Sequence, residues 1–536
     1  MEPVGLGLSV LALYIECIKA YKIFSTASCL SSDLRILRTK FQIEETRLTQ
    51  WGTYWGYRSS PEECALDASI DNAGQNVAVT VRLTLQQIAT LLKEYSSLTA
   101  KYDGVQRGGG LVYRGMTWAL KDKATLETTV QNLTDFNNAL HQLLPKKSEL
   151  SLSQAVACAL TQENDKDDLD SIIAAAASLH HVDVAKLARF KRAYQLLALE
   201  EEEHDSRPPA LLSSLQLDEG RIQLSTRHAT KERTLANLDG DTRVIVEWKS
   251  YHPSMLSGSL TARQTLRNRV THLAELMSSN TQRPDGFNVL TCVGYFDQAS
   301  SEHFGFAYDF PRDVVRHMPF TLDELFTSSS APALGTRFKL ALSLARTLNL
   351  LHSSGWLHKS IRSNNIVIFQ AGNNNEPEYE KPYLLGFGFS RPDGYHEETF
   401  LEQSAVASTN QLYRHPEVQG QCARRYTASD DNYSLGLVLL EVALWMSLPK
   451  IEGRKQTTSE HVPLNRDKIK ATVSSLPKRV GTIYKEVVET CLNLDQGRFV
   501  LPKEVTPPTA KWEAERLRSQ NMFYWDVVKR LEECRA

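Results

Sequence analysis

Hydrophobic periodicity changes near residue 205, and no single fold accommodates both halves. Up to about His204, apolar residues recur three and four apart: Leu34, Leu37, Phe41 and Leu48; Leu85, Ile88, Leu92 and Tyr95; Leu126, Val130, Leu133, Leu140 and Leu144. That spacing belongs to amphipathic helices, and such stripes bury against one another in an all-α bundle, here of four or five long helices. Asp33 is placed to cap the helix carrying Leu34, while Gly52, Gly56 and the triplet Gly108 to Gly110 interrupt the pattern where chain reversals are needed.

The acidic run Glu200 to Glu203, then Asp205, Pro208 and Pro209, has the composition of a linker. Beyond it Val244, Ile245, Val246 and Trp248 form a β-prone run. Val289 to Phe296 and Phe304 to Phe310 are further strand candidates. Helical patterning returns at Thr336 to His352 and at Ser434 to Trp445. Strands followed by helices predict an α+β domain. The expected organisation is a helical bundle over 1–205, a linker over 206–220 and an α+β domain over 221–536.

Bulk properties narrow the function classes. A chain of 536 residues exceeds the roughly 100 to 200 residues of one domain. A formal net charge of -2 supplies no field for nucleic acid or an anionic surface. The eight cysteines show no CxxC pairs or metal-ligand spacing, which predicts reduced thiols in a cytoplasmic protein with neither disulfide framework nor metal site. The apolar run Pro3 to Ile15 lacks a basic flank and follows Glu2, which disfavours a secretory signal. It is also shorter than the roughly 20 residues of a membrane-spanning helix, so a buried or interfacial helix is expected.

Phosphoryl transfer of the kinase type needs a strand lysine for the nucleotide phosphates and an aspartate base. It also needs an aspartate and an asparagine for magnesium. Val246-Glu247-Trp248-Lys249 could supply the lysine, though an exposed strand lysine is the commoner meaning of such a run. The run Leu350 to Ile366, containing His358-Lys359-Ser360 and then Asn365, resembles the protein-kinase catalytic loop and the helix before it. Leu384-Leu385-Gly386-Phe387-Gly388 stands where a DFG motif should follow. His415-Pro416-Glu417 stands at the APE position, and Asp431 to Gly436 resembles the DxxSxG start of a large helix.

The resemblance implies a bilobal protein-kinase-like fold in which Glu417 pairs with a late arginine and Asp431 holds the loop backbone, both as structural residues. The chemistry is stripped. Ser360 replaces the catalytic aspartate and Gly386 the metal-binding one. No GxGxxG precedes Lys249, and Arg269 stands where a glutamate should meet that lysine, with Glu275 nearby. General-base and metal contributions are each worth orders of magnitude in rate, so a pseudokinase is expected and no residue is nominated as catalytic. Lys249 and Asn365 remain the candidate contacts for ATP. The degenerate motifs His358, Lys359, Ser360, Gly386, Phe387 and Gly388 argue against magnesium, and no other cofactor or metal is assigned. Asp393, seven positions past Gly386, is a possible substitute acid but reads as a loop carboxylate.

The opening Met1 to Leu13 resembles the start of the fungal HeLo family, helical domains of heterokaryon-incompatibility and prion-propagation proteins. Leu34 to Phe41 leading to Thr49-Gln50-Trp51-Gly52, and Trp118 to Lys123 before the helix with Leu133, Phe136 and Leu140, extend the resemblance. It implies an apolar N-terminal helix that leaves the core for a membrane when the protein assembles. Leu6, Leu8, Leu11 and Ile15 would carry that role, with Gly5, Gly7, Ser9 and Ala12 allowing close helix packing. The alternative is simply the central helix of the bundle.

Together these resemblances imply a cell-death or incompatibility effector: self-associating through the bundle, answering an upstream protein, and meeting plasma-membrane lipid on activation. An active atypical kinase localised by the bundle is one alternative. The other is a non-catalytic adaptor, with Phe523 to Val528 as a docking face or a closing helix.

Overall fold

The structure, a computed structural model, describes residues 9–25, 32–58, 64–103, 111–161, 166–202, 215–225, 232–250, 260–278, 283–298, 303–328, 330–372, 375–393, 411–419, 424–454, 464–492 and 518–536. The chain divides into two compact units, Met1–Arg192 and Ala193–Ala536.

The first unit is helical throughout its described residues: α1 (Val10–Ser25), α2 (Ser32–Tyr54), α3 (Leu66–Asn72), α4 (Gln75–Asp103), α5 (Leu111–Gln142), α6 (Lys146–Leu160), α7 (Lys166–Ser178) and the start of α8 (Val182–Glu202). The apolar stripes form its core. Leu37, Phe41 and Leu48 of α2, Leu85, Ile88 and Leu92 of α4, and Leu126, Val130, Leu133 and Leu140 of α5 are all buried. Against them packs α1, which touches α2, α3 and α4.

The short α3 and α7 add to the long helices, their apolar faces resting on few large residues such as Leu66, Ile70, Leu169 and Ile172. Asp33 is the second residue of α2 and not the residue that precedes it, and Gly52 lies in its last turn, ahead of the reversal at Gly56. Helix α8 runs to Glu202, inside the acidic run and within the span 1–205 expected for the bundle, since glutamate, leucine and alanine are all good helix formers. The triplet Gly108 to Gly110 lies outside the described residues.

The second unit opens with an antiparallel five-stranded sheet of order β1-β2-β3-β5-β4: β1 (Ile222–Leu224), β2 (Arg233–Leu238), β3 (Thr242–Ser250), β4 (Cys292–Gln298) and β5 (His303–Tyr308). Between β3 and β4 runs α9 (Leu260–Leu276), packed on β4 through buried Val270, Leu273 and Ala274. Side chains alternate across a strand. Val244 and Val246 therefore join the apolar cluster with Leu217, Ala236, Phe296 and Ala307, while Ile245, Glu247 and Lys249 share the opposite face.

The rest is mainly helical, with α10 (Leu322–Ser328), α11 (Leu334–Ser353), α12 (Ala428–Leu444), α13 (Leu448–Ile451), α14 (Arg466–Ser474) and α15 (Pro477–Leu492). Small ladders join β6 (Phe320–Thr321), β8 (Ile366–Ile368) and β9 (Tyr383–Leu384), and separately β7 (Trp356–Leu357) and β10 (Arg391–Pro392). The buried helix α12 begins at Ala428, ahead of the expected Ser434. Thr427 and Asp430 form a capping box there that satisfies its first amides. Phe523, Tyr524, Val527 and Val528 are buried in the closing helical segment. The unit is α+β.

Candidate functional site

In the first unit the candidate is α1. Ser9 Oγ accepts from Ala12 N at 3.1 Å, and Asp67 of α3 accepts from Leu11 N at 3.2 Å. These bonds satisfy amides that a helix start leaves open, and a carboxylate suits its positive end. Val10, Leu13, Tyr14, Cys17, Tyr21 and Phe24 form the buried face. Leu11 and Ile15 flank that face half-buried, whereas Leu6 and Leu8 lie outside the described residues. Polar contacts hold α1 as well. Cys17 Sγ donates to Leu85 O at 3.1 Å, Glu16 pairs with Lys93 of α4, and Tyr21 OH accepts from Asn137 of α5 at 3.5 Å.

Asn137 belongs to a buried network around Glu44. Its amide donates to Glu44 Oε2 at 2.7 Å. Arg47 also donates to Oε2, at 2.9 Å, while Thr134 donates to Oε1 at 3.0 Å. The His181 ring meets Oε1 at 3.0 Å. Burial alone would push the Glu44 carboxyl up. Arg47 and His181 outweigh it and hold it down at about 2. Four side chains, from α2, α5 and the turn before α8, thus converge on one carboxylate. Among the described residues no helix is long and apolar enough to cross a membrane.

In the second unit the sequence-nominated residues converge. The Lys249 ammonium donates to Gly388 O. Asn365 Nδ2 donates to Ser360 O at 2.8 Å and Ser360 Oγ at 3.0 Å. Gly386 lies two residues past the end of β9, the strand that pairs with β8. His358 is buried, and burial drives its pKa down to about 4. The neutral ring donates from Nε2 to Leu385 O at 3.1 Å, leaving Nδ1 to accept from Ser360 N at 3.2 Å. The Phe387 ring stands edge-on to it at 4.6 Å.

Asp431 anchors this loop from α12. It accepts from His358 N at 2.7 Å, Lys359 N and Tyr426 OH at 2.8 Å, and contacts His352 Nε2 at 3.2 Å. Burial would raise its pKa, but His352 and the other donors hold it below the usual range. Lys359 takes a left-handed backbone, φ 65°, with its ammonium 5.4 Å from the Tyr426 ring centre. Glu417 accepts from Arg424 at 2.7 Å, and the same guanidinium reaches Asp430. Asp393 lies beyond β10, its amide bonded to Gly355 O at 2.8 Å.

Two residues that sequence reasoning passed over complete the cluster. Arg233 of β2 stands opposite Glu247 of β3 in register, Nε to Oε2 3.3 Å, and both are about 95% buried. Glu247 accepts from Gly386 N at 2.9 Å and Phe387 N at 3.2 Å, and Arg233 donates to Asn364 O at 2.8 Å and Asn365 Oδ1 at 2.7 Å. The available signal was strand parity: Glu247 shares the face of Lys249 inside an otherwise apolar run. Beside the pair, Arg362 donates to Glu232 at 2.6 Å. The arrangement presents a guanidinium, an ammonium and a carboxylate already engaged with the loops. It offers no carboxylate at 360 or 386. Among the described residues no cluster of three or more His, Cys, Asp or Glu could hold a metal ion.

Comparison with known families matches residues 316–535 to a domain of unknown function (DUF7580). No curated protein matches the chain. Residues 4–112 and 111–172 match the HeLo family, described as prion-inhibition and propagation. The N-terminal part of this chain, whose described residues are helical, is therefore a HeLo domain.

Proposed function

We propose that this chain is a signalling effector of the fungal cell-death or heterokaryon-incompatibility type, in which a catalytically inert kinase-like unit restrains a HeLo bundle. On activation by an upstream protein the bundle self-associates and its N-terminal helix, with Leu6, Leu8, Leu11 and Ile15, meets the plasma membrane. At rest the protein is cytoplasmic.

The observation that carries this reading is the coexistence of the HeLo domain with a second unit whose loop cluster keeps a scaffold and lacks the acids. Several features of that unit support a kinase-like assignment: five antiparallel strands with α9 between the third and fourth, Lys249 reaching the 386–388 turn, and a DxxSxG-type aspartate gripping the 358–359 backbone. Serine at 360 is no general base near neutral pH, and glycine at 386 offers no metal ligand, which supports inertness.

The test expresses residues 1–205, the full chain, and the fragment carrying Leu11→Glu, scoring membrane pelleting and viability together. The fragment alone should pellet and kill. Three soluble, harmless proteins would sink the effector reading. Phosphate transfer from magnesium-ATP that vanishes in Lys249→Met would sink the inert one.

A further inference from the structure

In the second unit a cation and an anion from adjacent strands are bolted to the two loops where kinase-like chemistry would assemble. Asn365 Oδ1, the atom that would face magnesium, faces the Arg233 guanidinium at 2.7 Å. The amides of Gly386 and Phe387 end on Glu247 Oε1 and Oε2 at 2.9 to 3.2 Å. The Asn365 amide nitrogen is spent on Ser360. A second bridge, Glu232 to Arg362, fastens the start of β2 to the same loop.

We propose that the Arg233–Glu247 pair is a permanent internal occupant of this cleft, replacing a nucleotide–metal complex as the tie between sheet and loops and excluding adenine nucleotide. The guanidinium supplies the positive charge that a metal would give Asn365. The Glu247 carboxylate, reaching across from β3, fixes the 386–387 turn. Because each member satisfies the other and the loops, the cleft is locked closed with no ligand and no metal. The lock stands on geometry alone; the excluded ligand's identity rests on the kinase-like reading above.

The experiment uses the full chain and two readouts. Hydrogen exchange of the peptide spanning 384–390 reads the lock. Fluorescence of trinitrophenyl-ATP, with and without magnesium, reads the cleft. In Glu247→Gln, which keeps the shape and removes the charge, exchange at 386–387 should quicken tenfold or more; unchanged protection overturns the lock. Wild type should not bind the probe at concentrations where Arg233→Val/Glu247→Ala, an apolar floor with no stranded charge, binds at least tenfold more tightly. Probe binding by wild type as tight as by the double variant overturns the exclusion, even if the variant folds poorly. If exchange quickens while neither protein binds the probe, the lock holds and the kinase-like reading fails.

Discussion

Asn365 occupies the space that a side chain at residue 386 would need. An ideal Cβ on Gly386 would lie 2.1 Å from Asn365 Nδ2 and 2.3 Å from its Cγ. The amide cannot swing away without losing its bonds to Ser360 and Arg233. Gly386 also has φ 87°, a left-handed backbone that side chains resist. Local packing therefore leaves no room for a carboxylate at 386. Introducing one, as Gly386→Asp, should cost about 2 kcal/mol or more from strain and overpacking and yield no magnesium-dependent phosphate transfer. Urea midpoints and a transfer assay check this. Wild-type stability accompanied by transfer would contradict it.

Glu441 of α12 should make the second unit lose stability as pH rises. Burial raises its pKa to about 8 from an ordinary 4.5, while Tyr413 OH and Leu448 N each lie 2.6 Å from Oε1. A carboxyl raised in the folded state favours folding fully below its unfolded pKa, and that contribution disappears as pH climbs through the folded value. The window runs from about 4.5 to about 8. Glu441→Gln mimics the protonated form, so its melting temperature should fall less than wild type across pH 5 to 9. Parallel curves would refute the assignment.

Much of the helical unit could be read from periodicity because its long helices bury large residues at regular spacing. Leu85, Ile88 and Leu92 needed no partner information. The short α7 hid because alanines carry half of its buried face, with Ala175 and Ala176 beside Leu169 and Ile172. In the second unit the loop residues were legible through fixed local spacing. Arg233 and Glu247 were not, because their pairing depends on β2–β3 register and on loops more than 110 residues away in sequence, from Arg233 to Asn364. Gly52 stands in the last turn before the reversal at Gly56, and what requires a glycine there, the ring of Tyr14, stays hidden until α1 is placed.

Acid should loosen the HeLo domain through Glu44. Its carboxyl is held near 2, below the ordinary 4.5, despite complete burial. A carboxyl depressed in the folded state contributes stability that is present above its unfolded pKa and is lost as pH falls through the folded one. Glu44→Gln should remove that acid limb between pH 4.5 and 2. At neutral pH it should destabilise by about 3 kcal/mol, because Arg47 loses its buried counter-charge. Helical circular dichroism against pH and urea reads both. An acid limb unchanged in the variant would rule Glu44 out as its source.

Gly52 sits inside α2, where alanine would be intrinsically better by about 1 kcal/mol. What opposes alanine is Tyr14 of α1, since a Cβ at 52 would lie 2.5 Å from the ring's Cε2 and Cζ. That ring is 1% exposed and packed 4.7 Å from Tyr57, so it has no free direction in which to retreat. Overpacking of this kind costs about 1 to 3 kcal/mol, so the clash outweighs the propensity gain. Gly52→Ala should destabilise modestly and Gly52→Leu strongly, with the strain falling on the contact that seats α1. If α1 is the segment released toward the membrane, full-length Gly52→Leu should pellet with anionic vesicles more than wild type does. A destabilised variant that stays soluble would separate the packing role of Gly52 from any role of α1 at a membrane.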